Sequence, residues 1–576
     1  MSPMKVKGLK HPEGLFSIIK GSIGAMTVAL EALGNYVFFL KRSCFGHLTG
    51  FARLGSILAT HINFFPDGYQ CTMDNRKKLL TAGFLTLIAA GIGFAVRGGL
   101  LGIWSEQYGF TMTELGQITG GGLLGFGIVI LIAGAFIDVI GYKRLMVIAL
   151  ACHLISAVML FAATPVFNAS GKESVYTLLY ISMFIFAIGN GICEAVINPL
   201  TAALYPEQKT HYLNILHAGW PAGLVIGGLI VFAKGAVGWE ILMATFLIPV
   251  VMYGVIVLKE QFPKTAAQEG AVSYGGMLAS LIGPFFLILL FAHACVGYVE
   301  LGTDSWINKI TGKILSSAAL GTTLFIYTSL LMTALRFFAG PIVHKISSLG
   351  LLLASAVTGA IGLYLISIGE SVPFMFFAAT VYALGKTFLW PTMLGVVGER
   401  FPQSATVAMA LMGFAGMTSA GLLGGPGIGY KQDYYASKFI QENAPETYAR
   451  VKAPNENNFL FFPAITGIDG AKAGMIEDDG AAITQEAAIA GSEINDDAFS
   501  ALKNQFDWWG ANKQFAAQDK APVEAATLYG SRMALRMTAL VPATMAVLYL
   551  ILIVCFKAPK DEGDAHAADA AAGSEL

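Results

Sequence analysis

Gly134-Ala135-Phe136-Ile137-Asp138-Val139-Ile140-Gly141-Tyr142-Lys143-Arg144 ends one apolar run and begins another. The runs on either side, residues 117 to 137 and 145 to 164, are each about as long as the 20 or so mostly apolar residues that cross a bilayer as a helix. The residues between them suit a tight turn at a membrane surface. Glycine permits the turn and a close helix approach, Asp138 can face a helix N-terminus or a basic side chain, and Lys143 with Arg144 hold that end at the interface.

Working outward, the same pattern recurs. Twelve apolar runs are found, at 79 to 103, 117 to 137, 145 to 164, 175 to 204, 213 to 235, 238 to 258, 276 to 301, 317 to 341, 348 to 368, 371 to 397, 404 to 428 and 535 to 556. They predict helices, because in hydrocarbon every backbone N–H and C=O must be paired within its own segment. Composition agrees: 55% of the 576 residues are hydrophobic and 13% charged, against roughly a quarter charged in soluble domains. The six cysteines lack paired ligand spacing, so neither a disulfide framework nor a metal site is indicated. A net charge of −1 gives no basic footprint for nucleic acid, and no Gly-rich phosphate loop appears. No constellation suited to an enzyme or a cofactor is visible.

Lys and Arg in short loops set orientation. Arg76, Lys77, Lys78, Lys143, Arg144, Lys209, Lys259, Lys264, Lys345, Arg400, Lys557 and Lys560 fall on one side, and Lys172, Lys234, Lys309 and Lys313 on the other. The first group and both ends of the bundle are therefore expected to be cytoplasmic, in a cytoplasmic (inner) membrane. The expected organisation is an N-terminal extension over 1–72, a six-helix half over 73–258, a cytoplasmic linker over 259–275, a second half over 276–557 and a cytoplasmic tail over 558–576. Met73-Asp74-Asn75-Arg76-Lys77-Lys78 reads as a natural start, so 1–72 is expected to be dispensable. Residues 429–534 form an extracytoplasmic insertion between the last two spans, and its Phe459-Leu460-Phe461-Phe462 and Phe506-Asp507-Trp508-Trp509 clusters predict a partly helical cap.

The opening stretch resembles the major facilitator superfamily loop signature G-x-x-x-D-x-x-G-x-K/R-R. Gly340-Pro341-Ile342-Val343-His344-Lys345-Ile346 is a degraded second copy, which implies two related six-helix halves. Gly189-Asn190-Gly191-Ile192-Cys193-Glu194-Ala195-Val196-Ile197-Asn198-Pro199, followed by Leu213-Asn214-Ile215-Leu216-His217-Ala218-Gly219-Trp220-Pro221, resembles the fucose permease branch, the fucose, galactose and glucose proton symporters. By that resemblance the fold is an all-α membrane protein of twelve transmembrane helices, and Glu194 takes the place of the proton-coupling carboxylate, with Asn198 one turn further on the same face. Where the branch has an acid in the first helix, this chain has Arg97 or an adjacent glycine, and His217 and Trp220 occupy the sugar-facing positions of the fifth.

Ionisable groups at membrane depth are costly, so their default reading is functional. The expected solute-binding set is Arg97, Asn198, His217, Trp220, Glu300 and Lys386. The conformational gate is expected at Asp138, Gly141, Lys143, Arg144 and Arg336. Lys386 stands four residues before Trp390-Pro391 much as Glu194 stands four before Asn198-Pro199, so the two fall at pseudo-symmetric positions. Asp304 is expected to cap or leave its span, and His293 to act either as a proton relay or as a packing residue. The function implied is alternating-access transport of a small polar solute, a sugar or sugar derivative, by a monomer in the lipid bilayer, with the proton as coupling ion and no cofactor. A small organic anion, a carboxylate or acidic sugar, is the alternative cargo, and a solute-sensing transceptor the alternative of another class.

Overall fold

The computed structural model describes residues 73–108, 112–231, 237–265, 276, 279–454, 456, 459–491 and 500–555. The expectations for 1–72 and 558–576, and for most of the 259–275 linker, fall outside these. The described chain is overwhelmingly helical, with an isolated antiparallel bridge between Lys452 and Ile468.

The bundle helices run in order α1 Met73–Tyr108, α2 Met112–Ile140, α3 Tyr142–Phe161, α4 Ala163–Leu204, α5 Lys209–Val231, α6 Trp239–Lys259, α7 Pro284–Gly302, α8 Ala318–Arg336, α9 Ser348–Ile368, α10 Val372–Arg400, α11 Pro402–Asn443 and α12 Leu502–Cys555. Eleven of these contain a stretch long and apolar enough to cross a membrane, and α2 carries a shorter one, Gly125–Ile140. Side chains such as Phe136, Val158, Leu229 and Phe291 are more than two-fifths exposed on the outside of the bundle, where lipid replaces water.

Local chemistry sets the breaks. The turn at Gly141 has φ 87°, which only glycine adopts at no cost, and its N–H bonds the Ile137 carbonyl at 2.7 Å. In α4, Gly171 at φ 75° kinks a 42-residue run, so the span proper begins after it. Small residues bring helices into backbone contact. A Cβ on Gly91 of α1 would lie 2.4 Å from the Trp220 carbonyl of α5, and one on Gly134 of α2 would lie 2.2 Å from Ala410 of α11. The second contact joins the two halves. In α7 and α11, π-helical turns at Tyr298–Gly302 and Ala420–Gly424 face each other, so close that a Cβ on Gly302 would meet the Gly424 backbone at 2.7 Å. Such turns shift the side-chain register by one residue and recur at functional sites.

The two spans flanking the insertion are much longer than their apolar runs. Polar residues 429–443 and 516–534 continue α11 and α12 beyond the bilayer, where they pack together at Gly530, which lies against Gln432 and Ala436. Short helices Pro445–Val451, Gly470–Glu477 and Ala481–Ala490, with the first turns of α12 within Ser500–Asn512, complete the cap. Its cores are Ile440, Val451, Ile476, Val523 and Ala526, and Met475, Ile483, Trp509 and Ala516. Asp519 is buried there, held by Arg450 at 2.6 and 2.8 Å and by the Thr447 hydroxyl at 2.7 Å. Folding of the cap keeps the Arg450 guanidinium above the usual arginine range through this bond to Asp519.

Candidate functional site

Glu194 lies in the α4 stretch where every residue from Gly189 to Ala202 is buried. Four residues on, Asn198 turns back along the same face. Its Nδ2 donates to the Glu194 carbonyl at 2.9 Å and to Oε1 at 3.1 Å. That fixes Asn198 Oδ1 as an acceptor, so His217 of α5 donates to it from Nε2 at 2.8 Å, with the same nitrogen 3.7 Å from Glu194 Oε1. Trp390 of α10 faces the carboxylate from the other half. In α10, Lys386 is fully buried and paired at 2.5 Å with Asp304, just past the end of α7, and its ammonium stands 5.3 Å from the Tyr382 ring centre. Asp304 stands two residues past the end of α7 at Gly302, yet its side chain is buried.

Arg336, at the end of α8, is 1% exposed and makes three bonds. It donates from Nη2 to Glu300 Oε1 at 2.7 Å, from Nε to the Thr387 carbonyl at 2.7 Å and from Nη1 to the His217 carbonyl at 2.6 Å. Both carbonyls have a physical reason to be available. A helical carbonyl accepts from the N–H four residues later, and those residues are Pro221 and Pro391, which have none. Two Trp-Pro pairs, Trp220-Pro221 in one half and Trp390-Pro391 in the other, thus free two carbonyls that one planar guanidinium bridges across the halves.

The structure brings together Glu194, Asn198, His217, Glu300, Lys386 and Arg336. Arg97 and Trp220 stand apart, joined by Phe94: the Arg97 guanidinium is 5.8 Å from the Phe94 ring, which is 5.6 Å from the Trp220 ring. His293 is fully buried, lies 4.5 Å from the Trp390 ring and has no hydrogen-bond partner on either ring nitrogen among the described residues. That places it as a packing residue in this conformation.

The Lys/Arg-rich face is closed by contacts between the halves. Lys209 donates to the Gly398 carbonyl at 2.9 Å and Thr210 to Glu399 at 2.6 Å across the halves, and Ser348 braces the same carboxylate from within its own half at 3.2 Å. Asn214 reaches Thr392 at 3.1 Å, and the Gly340 N–H donates to His211 Nδ1 at 3.0 Å. Of these, the sequence named only Lys209, and only for orientation; Thr210, His211, Ser348 and Glu399 are ordinary polar residues at helix ends there. Of the predicted gate residues, Lys143 caps α6 through the Leu258 and Glu260 carbonyls at 3.1 and 2.9 Å. Asp138 and Arg144 are partly exposed beside it.

A twelve-helix membrane bundle with paired π-turns, a buried carboxylate in α4 and charge pairs in the opposite half describes a polytopic transporter. The chain belongs to the Major Facilitator Superfamily, which it matches over residues 80–425. The match stops where the insertion begins, short of the last span. Over 134 residues, 23% of this chain and 28% of the relative's own length, it is 28% identical to the L-fucose-proton symporter of Escherichia coli (strain K12). The chain thus spans little more than a quarter of that curated relative. Its fold is similar to crystal structures of FucP in the outward conformation (TM-score 0.53, 16% identity, 65% of this chain and 94% of that one) and of the proton:xylose symporter XylE bound to 6-bromo-6-deoxy-D-glucose (TM-score 0.53, 14% identity, 64% and 91%). A bacterial homolog of the human lysosomal transporter Spinster, inward-facing and unoccupied, matches over 83% of this chain and 98% of its own at TM-score 0.51 and 13% identity. Members of this family are membrane transporters, not enzymes, and work by alternating access.

Proposed function

We propose that the chain is a proton-coupled transporter of a small polar solute, a sugar or sugar derivative, with Glu194 as the proton carrier. One observation carries the reading: the hydrogen-bond chain from Glu194 through Asn198 to His217, whose own carbonyl is gripped from the other half by Arg336. A proton arriving on Glu194 changes what Asn198 and His217 bond to. Because His217 is tied to Arg336, that change is felt where the halves meet. Burial and a neighbouring cation act in opposite senses on a carboxylate's proton affinity, so movement of Arg336 relative to α4 and α5 can load and unload the proton.

The Lys/Arg-rich face is the cytoplasmic one on this reading, so the contacts around Glu399 close the inner gate and the cycle proceeds by their release. The protein works as a monomer in the cytoplasmic membrane, and the proton is its only co-substrate. L-fucose and xylose, which the similar symporters carry by name, set the first probes. In proteoliposomes, a panel of neutral sugars and the matching sugar acids should include a member whose addition drives proton entry and which is concentrated by an imposed proton gradient. Accumulation with no proton movement overturns the coupling, and binding with no accumulation by any gradient identifies a sensor.

A further inference from the structure

The charged groups buried in the membrane part of the described chain are Arg97, Glu194, Glu300, Asp304, Arg336 and Lys386. Four of them form two ion pairs, Arg336 with Glu300 and Lys386 with Asp304, at 2.7 and 2.5 Å. Glu194 has the Asn198 amide and the His217 ring. Arg97 is left over. It is 8% exposed, and among the described residues its one hydrogen-bond contact is the Met183 thioether, 3.6 Å from Nη1. A guanidinium carries five N–H donors, and a thioether is a weak acceptor. The Phe94 ring beneath it offers a cation–π contact at 5.8 Å, which offsets only a small part of the desolvation of a full charge.

We propose that Arg97 is the seat of an anionic group on the transported solute, a carboxylate held by two parallel N–H···O bonds. The inference rests on the transport reading above and narrows its cargo to sugar acids or similar small organic acids. Geometry supplies the rest of the site. Met183 lies 11 residues before Glu194 on α4, about 16 Å along the helix toward the insertion face at 1.5 Å per residue. Between these levels stand Phe94, one turn inward of Arg97, and Trp220, one turn from His217. Their rings, 5.6 Å apart, form an apolar floor along which a sugar ring can stack. Gly122 of α2 adjoins the guanidinium without crowding it: a Cβ there would stay 3.8 Å from Nη1. A bidentate carboxylate satisfies the donors that the protein leaves open, and it makes the site electrically neutral when filled. A neutral sugar leaves the buried charge as it is. The cation is thus a discriminator: binding of an anion removes an unpaired buried charge, and binding of a neutral isostere does not.

The test uses full-length protein in detergent with titration calorimetry as readout, on the matched pairs D-glucuronate and D-glucose, D-galacturonate and D-galactose, and L-lactate and propane-1,2-diol. At least one acid should bind tenfold or more tightly than its neutral partner. Arg97→Gln should erase that preference and Arg97→Lys should retain part of it, since the charge stays and the planar fork is lost. If Arg97→Gln fails to fold, the lysine variant and the wild-type pair ratios decide alone. No acid exceeding its partner, or a preference unchanged in the variants, overturns the inference. A neutral sugar that is concentrated by the proton gradient with no acid preference would sink this inference and leave the transport reading intact, whereas failure of every panel member to move with protons would sink that reading itself.

Discussion

Replacing Lys386 with methionine separates a structural ion pair from a solute contact. Lys386 and Asp304 are both buried, and their charged atoms are 2.5 Å apart. Lys386→Met keeps the stem's volume and its packing on Tyr382 but leaves the Asp304 carboxylate unpaired in a low-dielectric site, near the carboxylate of Glu300. Breaking a buried pair by removing one partner costs about 3–5 kcal/mol, whereas replacing both partners with apolar residues of similar size is neutral or stabilising by about 1–4 kcal/mol. The double variant Lys386→Met with Asp304→Leu should therefore regain most of what the single variant loses. Loss of the cation–π contact with Tyr382 adds about 1–2 kcal/mol that the double variant does not recover. Equilibrium unfolding in mixed micelles measures both. A single variant that loses less than about 1 kcal/mol, or a double variant no more stable than the single one, refutes the assignment of Lys386 as a structural partner.

Arg336→Lys should cut transport at least tenfold with protein levels preserved, because one ammonium cannot span Glu300, the Thr387 carbonyl and the His217 carbonyl as the planar fork does; uptake in proteoliposomes checks it. Glu399→Gln removes the charge that Thr210 and Ser348 bond, each such bond being worth about 1.5–3 kcal/mol, so the face it closes should open about tenfold more often. Faster modification of a cysteine placed at the buried Val396 reads that opening. A cysteine at the exposed Asp507 should react with an impermeant reagent added outside cells, and one at Gly141 should not; the reverse pattern ends the proposed orientation.

The helices of the bundle were legible in the sequence because lipid imposes one rule on every span, a run of apolar residues about 20 long. The turn at Gly141 was legible for the same local reason. What escaped depends on residues far apart in the chain. Thr210 and Glu399 are 189 residues apart, and nothing in either helix end announces the other. Asp304 does lie beyond its span, which ends at Gly302, but its buried pairing with Lys386, 82 residues away, could not be read from the helix end. A signal for Arg336 did exist: prolines four residues after His217 and Thr387 mark two carbonyls without helical partners, but only the folded chain shows which side chain takes them. Spacing within α4 put Asn198 on the face of Glu194, where its amide bonds the carboxylate, but the bond from His217 to Asn198 joins two helices and appears only in the folded chain. The polar stretches that lengthen α11 and α12 read as insertion because their partners are each other and not lipid.

The central claim is that Glu194 carries the coupling proton. The measurement that bears on it most directly compares Glu194→Gln with the native chain in proteoliposomes, using a solute from the panel that the native protein concentrates. The amide keeps the hydrogen bond to Asn198 and cannot titrate. Uptake driven by an imposed proton gradient should vanish, while exchange of labelled for unlabelled solute at equal concentrations should persist. If the Glu194→Gln protein still concentrates solute under the proton gradient, the proton travels elsewhere and Glu194 is a static member of the Asn198–His217 network.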